Sequence, residues 1–260
     1  MGAPAAPVPG TPDRHDPAQA AIAAGLDPAR MPRHVGVIMD GNGRWAERQG
    51  RERIDGHRRG VEAVRTVVTE SVRLAIPRVT LYAFSSENWS RPRREVDFLM
   101  LLLADFLRSE EPTLHANRVR LEAIGRLDRL PAEVQYELDR VRAATAHYDR
   151  NILSLALSYG GRDELVDACR RIASQVAAGE LAAAAIDAAT IQANLYTPEA
   201  ADLDVVIRTA GELRLSNFLP WQAVYAEYVV TEVLWPDFGV TAYHDCLRDF
   251  QGRERRFGGL

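Results

Sequence analysis

The segment from His34 to Trp45 reads His-Val-Gly-Val-Ile-Met-Asp-Gly-Asn-Gly-Arg-Trp. Its first part, Val35–Met39, has no polar side chain and is typical of a short buried strand. The polar segment Asp40–Trp45 follows at once. Its glycines allow a sharp turn and a close approach of backbone N–H groups to an anion. The segment therefore predicts a strand that ends in an anion site, although Asp-Gly and Asn-Gly are also the commonest turn dipeptides.

The rest of the chain alternates short β-branched runs with longer helical ones. Strands are predicted at Val35–Met39, Arg78–Phe84, Arg118–Ile124, Ile152–Leu157, Leu203–Arg208 and Tyr225–Glu232. Helices are predicted at Gly56–Ala75, Arg94–Ala116, Pro131–His147, Arg162–Ala178 and Thr241–Arg255. Such alternation implies right-handed crossovers and an α/β fold, with a mostly parallel central sheet flanked by helices.

The first thirty residues differ from the remainder. They hold six of the fourteen prolines, many alanines and no sustained apolar periodicity. This composition predicts a mobile arm over residues 1–30, followed by one globular domain over residues 31–260.

Charge and cysteine content exclude several classes of protein. The formal net charge is −4, so no basic field invites nucleic acid. Cys169 and Cys246 lack the spacing of a zinc site or a disulfide framework, and they fit a reducing cytoplasm. The chain has no secretory signal, and its longest apolar run is too short to span a bilayer. Any membrane contact is therefore expected to be peripheral.

Unusual polar loops follow four of the predicted strands. They are Asp40–Trp45, Ser85–Arg91, Ser158–Arg162 and Thr209–Ser216. Ligands of open parallel sheets bind beyond the carboxyl ends of the strands, so we expect these loops to converge on one site.

The first loop can hold both a metal ion and a phosphate. Asp40 can bind Mg²⁺, which typically takes one or two carboxylates together with substrate phosphates. Arg44, Arg53 and His57 follow within the next turn and helix. The alternative interpretation is a surface turn before an arginine-rich solvated helix. The segment is neither a Walker loop nor a dinucleotide-binding glycine motif.

The last loop has the composition of a second anion site. Arg208, Arg214 and Ser216 offer two guanidinium groups and a hydroxyl around a glycine. The alternative is that Arg208 only pairs with Glu212. Glu227 is an acid in an otherwise apolar strand, where it would need a metal ion or an arginine as partner. Two anion sites with two metal-binding carboxylates suggest a reaction that joins two diphosphates.

The stretch from Glu95 to Leu107 is apolar on most of its helical circumference. A helix that only covers a core shows an apolar stripe about 100° wide. A second apolar neighbour, such as a lipid tail or another subunit, would explain the wider surface. A fully buried core helix is the alternative.

Five blocks resemble the signature blocks of undecaprenyl diphosphate synthases, which are cis-prenyltransferases. They are His34–Trp45, Thr80–Trp89, Tyr159–Arg162, Val206–Thr209 and Leu234–Phe238. The similarity runs in order from about residue 31 to residue 259. It implies the fold of that family with an apolar tunnel, a homodimer, and Mg²⁺-dependent condensation of isopentenyl diphosphate with an allylic diphosphate such as farnesyl diphosphate. No DDxxD pair of the trans-prenyltransferases is present.

The resemblance also assigns roles by position. The residues similar to catalytic ones are Asp40, Asn88 and Arg91, and those similar to metal ligands are Asp40 and Glu227. Those similar to substrate-binding residues are Gly41, Asn42, Gly43, Arg44, Trp45, Arg53, His57, Ser85, Ser86, Glu87, Trp89, Arg208, Arg214 and Ser216. The tail Arg256–Gly258 resembles an element that reaches the partner's diphosphate site.

Product length is a separate expectation. Ala83 is small and beside a strand end, as in family members that make long chains, which implies a long Z-polyprenyl diphosphate for a cell-wall lipid carrier. The sequence departs from the family at Ala210, Ser158 and residues 228–230, none of them a charged catalytic position. A short-chain or irregular prenyl diphosphate synthase is one alternative. A non-catalytic subunit is another, but such subunits lose the aspartate and arginines present here.

Overall fold

A computed structural model describes residues 16–200 and 202–254 of the 260-residue chain. The strands are β1 (His34–Ile38), β2 (Arg78–Ser85), β3 (Val119–Ile124), β4 (Asn151–Tyr159), β5 (Val205–Arg208) and β6 (Glu227–Val230). The helices are α1 (Pro17–Ala23), α2 (Asn42–Arg48), α3 (Arg53–Arg73), α4 (Arg93–Ala116), α5 (Ala132–Thr145), α6 (Gly161–Ala177), α7 (Ala188–Ala193) and α8 (Val240–Gly252).

The six strands form one sheet in the order β3-β4-β2-β1-β5-β6. All five neighbouring pairs are parallel. Strands β2, β4 and β3 lie on one side of β1, and the later strands β5 and β6 lie on its other side. The direction of winding therefore changes between β1 and β5, which is where open α/β sheets bind ligands.

Alternate strand residues face two separate cores, as the two-residue period of a strand requires. In β5, Val205 and Ile207 belong to the larger core, whereas Val206 belongs to the smaller one. Residues from α3, α4, α5 and α8 pack in the larger core. The smaller core is built around Phe218 and Tyr159. The α/β fold predicted from the alternating pattern is confirmed.

The predicted elements match the observed ones closely because each long helix and strand carries its own apolar period. Three short helices, α1, α2 and α7, were not predicted. Helix α2 begins at Asn42, inside the glycine turn, after Gly41 adopts a left-handed φ of 102°. Short helices of this kind have too few residues to show a periodic pattern.

The N-terminal segment corrects the domain boundary predicted at residue 30. Ala21 and Leu26 are 1% and 4% exposed and belong to the larger core. Asp16 caps α1, and the side chain of Gln251 on α8 hydrogen bonds to the backbone N–H of Asp27. The packed domain thus includes residues 16–30, and the rest of the predicted arm lies outside the described residues. The sequence did not indicate this packing, because residues 16–30 are rich in proline and alanine and only a few of their apolar side chains contact the core.

Within the described residues, no helix is long and apolar enough to cross a membrane. The widely apolar helix α4 is instead largely inside the domain, with Met100, Ala104 and Leu107 buried. Leu101, by contrast, is an apolar side chain of α4 that is 58% exposed.

We expect Leu26→Ala to lower the free energy of unfolding by about 2–4 kcal/mol, because it empties a site in the core. Ile22→Ala is the matched control, since Ile22 is 65% exposed, and should change it by less than about 0.5 kcal/mol. Urea unfolding of both variants measures the difference. Equal, negligible effects would mean that residues 16–30 do not pack on the domain.

Candidate active site

An ion pair between Asp40 and Arg208 occupies the point where the sheet changes direction. Asp40 follows β1, and Arg208 is the last residue of the neighbouring β5. Nη2 of Arg208 lies 2.9 Å from Oδ2 of Asp40. The backbone N–H of Asp40 donates to Oγ1 of Thr209, and that hydroxyl donates to the Asp40 carbonyl. The first and last of the four predicted loops are therefore joined directly.

Asp40 is held in its ionised form. Partial burial acts to raise its pKa, but the hydrogen bond and charge of Arg208 act against it, as do the Gly41 N–H and the charge of Arg44. The net result is a pKa below the ordinary value of 3.8. Nη2 of Arg44 is 3.4 Å from Oδ1 of the same carboxylate. Two guanidinium groups thus face one carboxylate, and this leaves positive charge available to an incoming anion.

Arg208 also shapes the loop that follows it. Its side chain is buried, and Nη1 donates to the Arg214 carbonyl and to Oγ of Ser216, the latter at 2.7 Å. The side chain of Arg214 is exposed and pairs with Glu212 at 2.6 Å. The pairing of Arg208 with Glu212, considered as an alternative above, is not what the structure has. Arg208, Arg214 and Ser216 are together, as predicted.

The loop after β5 is strained. Ala210, Ser216, Asn217 and Leu219 all have φ between 47° and 71°. Residues other than glycine seldom adopt this left-handed region, and each costs roughly 1–3 kcal/mol unless the surroundings enforce it. Such strain is concentrated at functional sites in proteins.

Close backbone packing joins the glycine turn to α3. A side chain at Gly56 would collide with the backbone carbonyl of Asn42, so only glycine lets the two segments meet. The guanidinium of Arg53 lies over Gly43, 2.6 Å from where a Cβ would be. Oδ1 of Asn42 is buried with no hydrogen-bond partner. The turn, Arg53 and Asn42 therefore form one wall of the site.

An apolar cavity of about 170 Å³ opens beside this wall. Its polar side chains include Asn42, His57, Asn88 and Arg91. Its apolar lining comes from α3, α4, β2 and β4 and includes Val64, Leu81, Ala83, Leu99, Leu103 and Phe106. The apolar surface of α4 that the sequence left unexplained thus faces a cavity. A cavity of this size is similar to one that holds a benzene ring, and the longer tunnel expected from the resemblance stays a prediction.

His57 is a neutral imidazole at the cavity. Burial and the charge of Arg91 outweigh the nearby Glu95 and lower its pKa to about 4. Its Nε2 is 3.7 Å from Oε1 of Glu95, beyond hydrogen-bond distance. Glu95 instead accepts a hydrogen bond from Arg91 at 2.7 Å.

The loop after β2 contributes Ser85 to Arg91. Oδ1 of Asn88 accepts from the Ser85 backbone N–H in a reciprocal cap. Ser86 lies close to Gly160 in the loop after β4. Nε1 of Trp89 donates to Ser158 at 3.0 Å. The second and third predicted loops are therefore joined as well.

Two residues that were not predicted to belong to the site hold its loops in place. The side chain of Asn217 donates to Glu87 at 3.0 Å and accepts from the Arg162 N–H at 2.9 Å, so it joins three loops. Glu164 is fully buried and accepts from Tyr159, the Tyr196 N–H and Gln222. Asn217 follows Ser216 in a turn, and asparagine tolerates left-handed backbone. Glu164 gave no local signal, because two of its three partners, Tyr196 and Gln222, are distant in sequence.

Two predicted site residues lie elsewhere. Trp45 is 6% exposed and packs with Ala46, Ala210 and Leu234 behind the turn, while its indole N–H donates to Asp237 at 2.8 Å. It supports the turn and does not line the cavity.

Glu227 is the second. It begins β6 and pairs in register with Val205, at the amino edge of the sheet, whereas Asp40 is at the carboxyl edge. Arg253 is its ion-pair partner at 3.3 Å. The predicted strand Tyr225–Glu232 was longer than the observed one by two residues at each end. The predicted tail element Arg256–Gly258 lies outside the described residues.

Comparison with known proteins decides the family. The family described as "Putative undecaprenyl diphosphate synthase" matches residues 38–258. The chain belongs to the undecaprenyl diphosphate synthase family. It is 47% identical over 240 residues to an isoprenyl transferase of Heliobacterium mobile, with 92% of each chain covered.

A second relative is the ditrans,polycis-undecaprenyl-diphosphate synthase ((2E,6E)-farnesyl-diphosphate specific) of Lactiplantibacillus plantarum. It is 46% identical over 238 residues, which cover 90% of this chain and 92% of the relative. Among solved structures, lavandulyl diphosphate synthase from Lavandula x intermedia, in complex with dimethylallyl diphosphate, has a TM-score of 0.87 at 36% identity. That match covers 88% of this chain and 99% of the other. The family resemblance seen in the five blocks is thus confirmed, and so is the transferase class of this synthase family.

The buried His57 gives a test of the site's electrostatics. The unfolded imidazole titrates near pH 6.5 and the folded one near 4, so between these values only the unfolded chain gains a proton. Folding stability contributed by His57 should therefore be complete above pH 6.5 and fall as pH drops toward 4, by roughly 3 kcal/mol at most.

We expect urea unfolding to show this slope in the native protein and a shallower slope in His57→Gln. His147→Gln, which changes an exposed histidine, is the control and should keep the native slope. Identical slopes in all three proteins would contradict a buried neutral His57.

Proposed function

We propose that this chain is a cis-prenyltransferase that condenses isopentenyl diphosphate with an allylic diphosphate, in the first place farnesyl diphosphate. The product would be a long Z-polyprenyl diphosphate of the kind used as a cell-wall lipid carrier. One observation carries the proposal. The Asp40–Arg208 pair stands next to an apolar cavity, because Met39 and Asn42, close to Asp40 in the sequence, both line that cavity. An anionic head group with an apolar tail is the ligand that fits both parts.

The two anion-binding groups suit two diphosphates. Arg44 and Arg53 stand beside the glycine turn, where the allylic diphosphate would bind with its tail toward the cavity. Arg214 and Ser216 are in the loop after β5, which Arg208 joins to Asp40, and isopentenyl diphosphate would bind there. Arg208 contacts both groups through Asp40 and Ser216. Placing both substrates around one guanidinium would bring the reacting carbons together, which is a large part of catalysis for bimolecular reactions.

The reaction breaks the allylic C–O bond and forms a C–C bond from the isopentenyl double bond. Negative charge grows on the departing diphosphate, and guanidinium groups fixed beside it stabilise that charge. One proton is then lost from the isopentenyl unit. Asn88 and Arg91 line the cavity but have no basic atom at neutral pH. They would therefore orient the diphosphate oxygen or water that accepts this proton.

Asp40 is the residue that fits Mg²⁺. Among the described residues, no group of three or more His, Cys, Asp or Glu side chains could form a metal site by itself. A single ionised carboxylate at a phosphate site still fits, because Mg²⁺ commonly takes one or two carboxylates and completes its shell with phosphate oxygens and water. When bound, the ion would neutralise charge on the leaving diphosphate.

A homodimer is part of the proposal. Strand β6 is an edge of the sheet, and next to it Val224 and Tyr225 are 65% and 57% exposed. Edge strands beside exposed apolar side chains favour pairing with another chain. The apolar product would bring the protein into peripheral contact with a membrane.

A short-chain synthase is the second candidate. The cavity is small, and Ala83 lines it without filling it. Incubation with labelled isopentenyl diphosphate and a set of allylic primers, followed by chromatography of the products, separates the candidates. A short product only would exclude the long-chain function, and no product with any primer would exclude the transferase.

We expect Asp40→Asn to lower kcat at least about 10²-fold while the protein stays folded, because it removes the carboxylate that holds the ion and aligns Arg208. Incorporation of labelled isopentenyl diphosphate measures the loss, and circular dichroism measures folding. Asp139→Asn, at a carboxylate 74% exposed on α5, is the control and should retain activity. Full activity in Asp40→Asn would refute the mechanism.

Arg214→Gln should raise KM for isopentenyl diphosphate at least about tenfold and leave KM for the allylic substrate nearly unchanged. A hydrogen bond to a charged group contributes about 1.5–3 kcal/mol, and each 1.4 kcal/mol corresponds to a factor of ten. Initial rates with each substrate varied in turn give the two constants. Arg142→Gln on α5 is the matched control, and equal changes in both constants would show that Arg214 does not discriminate between the sites.

A further inference from the structure

One side chain, that of Asn217, joins three loops at the carboxyl edge of the sheet. Its Oδ1 accepts a hydrogen bond from the backbone N–H of Arg162 at 2.9 Å, and its Nδ2 donates to Oε1 of Glu87 at 3.0 Å. The first partner can only donate, and an ionised carboxylate can only accept, so the orientation of the amide is fixed. The junction therefore needs one side chain that carries a donor and an acceptor together.

The backbone at position 217 narrows the choice of residue further. Asn217 has a φ of 65°, in the left-handed region, which asparagine tolerates better than most residues. Its carbonyl also accepts from the N–H of Gly161 at 2.8 Å. Asn217 thus binds two consecutive N–H groups at the start of α6, where a helix has N–H groups without internal partners. The N-cap residue, Gly160, supplies no side-chain hydrogen bond. Asn217 is therefore anchored to a helix of 17 residues.

Two glycines allow this junction to close. A Cβ at Gly160 would be 2.5 Å from Oγ of Ser86 and 2.8 Å from Nδ2 of Asn217. A Cβ at Gly161 would be 2.0 Å from the ring of Pro220. A side chain at either position would force the loops apart. The hydrogen bonds of Asn217 therefore belong to a closely packed contact between loops.

Glu87 connects the junction to the segment that lines the cavity. Burial acts to raise the pKa of Glu87, but hydrogen bonds from Asn217, from its own backbone N–H and from two serines of its own loop lower it, and the net pKa is below the ordinary 4.5. Of these donors, only Asn217 belongs to another loop. Asn88 follows Glu87 directly, and both Asn88 and Arg91 line the cavity. The position of this segment therefore depends on the Asn217 amide.

The other neighbour of Asn217 is Ser216, whose hydroxyl accepts a hydrogen bond from Arg208 at 2.7 Å. Asn217 thus stands between the proposed isopentenyl diphosphate site and the segment that carries Asn88 and Arg91. A shift of its side chain would change the position of one relative to the other.

We propose that Asn217 is a positioning residue for the condensation, and that it sets the segment 88–91 relative to isopentenyl diphosphate. The inference rests on the proposed function and adds a residue to it. Asn217 does not touch the substrate. It acts through Glu87 on one side and through Ser216 on the other. The bound diphosphate and the side chains that orient the acceptor of the lost proton are thereby kept in one geometry.

Hydrogen exchange of the ligand-free protein tests the contact without turnover. Asn217→Gly removes the amide and keeps the backbone, since glycine adopts the left-handed region freely. Peptides that cover residues 85–92 should then exchange at least about fivefold faster, because a contact that holds this segment is lost. Asn117→Gly, the same change at the end of α4, is the matched control and should leave these peptides unchanged. Native exchange rates in Asn217→Gly would overturn the inference.

Kinetics separate positioning from a purely structural role. Asn217→Gly should lower kcat at least about tenfold, because small displacements of positioned groups cost large factors in rate. KM for the allylic diphosphate should stay nearly unchanged, since Arg44 and Arg53 have no contact with Asn217 among the hydrogen bonds and ion pairs of the described residues. A purely structural role would lower the folded fraction, measured by circular dichroism, and leave kcat per folded molecule at the native value. That result would contradict the proposal.

Reversing the hydrogen bond gives a second test. Asn217→Asp places a carboxylate beside that of Glu87, and like charges at this distance repel each other. The loss of kcat that it causes should be at least about fivefold smaller in a Glu87→Gln background, because the new amide can donate to the new carboxylate. Each loss is measured against its own background, so any direct contact of Glu87 with substrate cancels. Equal losses in the two backgrounds would show that the contact does not act in the reaction. Absence of product from the native protein would refute the proposed function, while hydrogen exchange would still decide whether Asn217 holds the segment.

Discussion

The contact between Asp40 and Arg208 is the constraint on which the site depends. The two residues come from strands that are neighbours only because the winding of the sheet reverses between them. Their charges would be costly to bury singly, and each is tolerated because it has the other. Arg208 then anchors the carbonyl of Arg214 and the hydroxyl of Ser216, so the backbone beyond β5 takes its shape from the same side chain. The order of the strands thus brings the ion pair together, and the ion pair in turn fixes the geometry of the loop after β5.

The strands, the long helices and the clustering of the polar loops could be predicted from the sequence, because the signals for them lie in residues that are adjacent along the chain. Strands such as β1 and helices such as α4 carry their period in adjacent residues, and parallel sheets place their ligand loops at one edge. The grouping of Asp40, Arg208, Arg214 and Ser216 followed from that rule. The family resemblance supplied roles that periodicity alone could not. It also assigned roles to Trp45 and Glu227, which the structure places behind the glycine turn and at the amino edge of the sheet.

What could not be predicted depends on distant contacts. Glu164 is buried among partners from residues 159 to 222, and no short pattern marks it. Asn217 joins loops that are separated by more than fifty residues. The apolar surface of α4 was visible in the sequence, but its neighbour was not. The structure shows that this neighbour is an apolar cavity of about 170 Å³, whose other walls come from α3, β2 and β4.

The position of Arg208 has a consequence for how two ligands would share the site. One guanidinium contacts the carboxylate on one side and the Ser216 hydroxyl on the other. An anion bound on either side draws on the same positive charge and the same buried side chain. Occupancy of one side would then change the affinity of the other, and thermodynamic reciprocity would make the factor identical in both directions. The two halves of the proposed site would therefore be coupled, so that the affinity of each half for its ligand would depend on whether the other half is occupied.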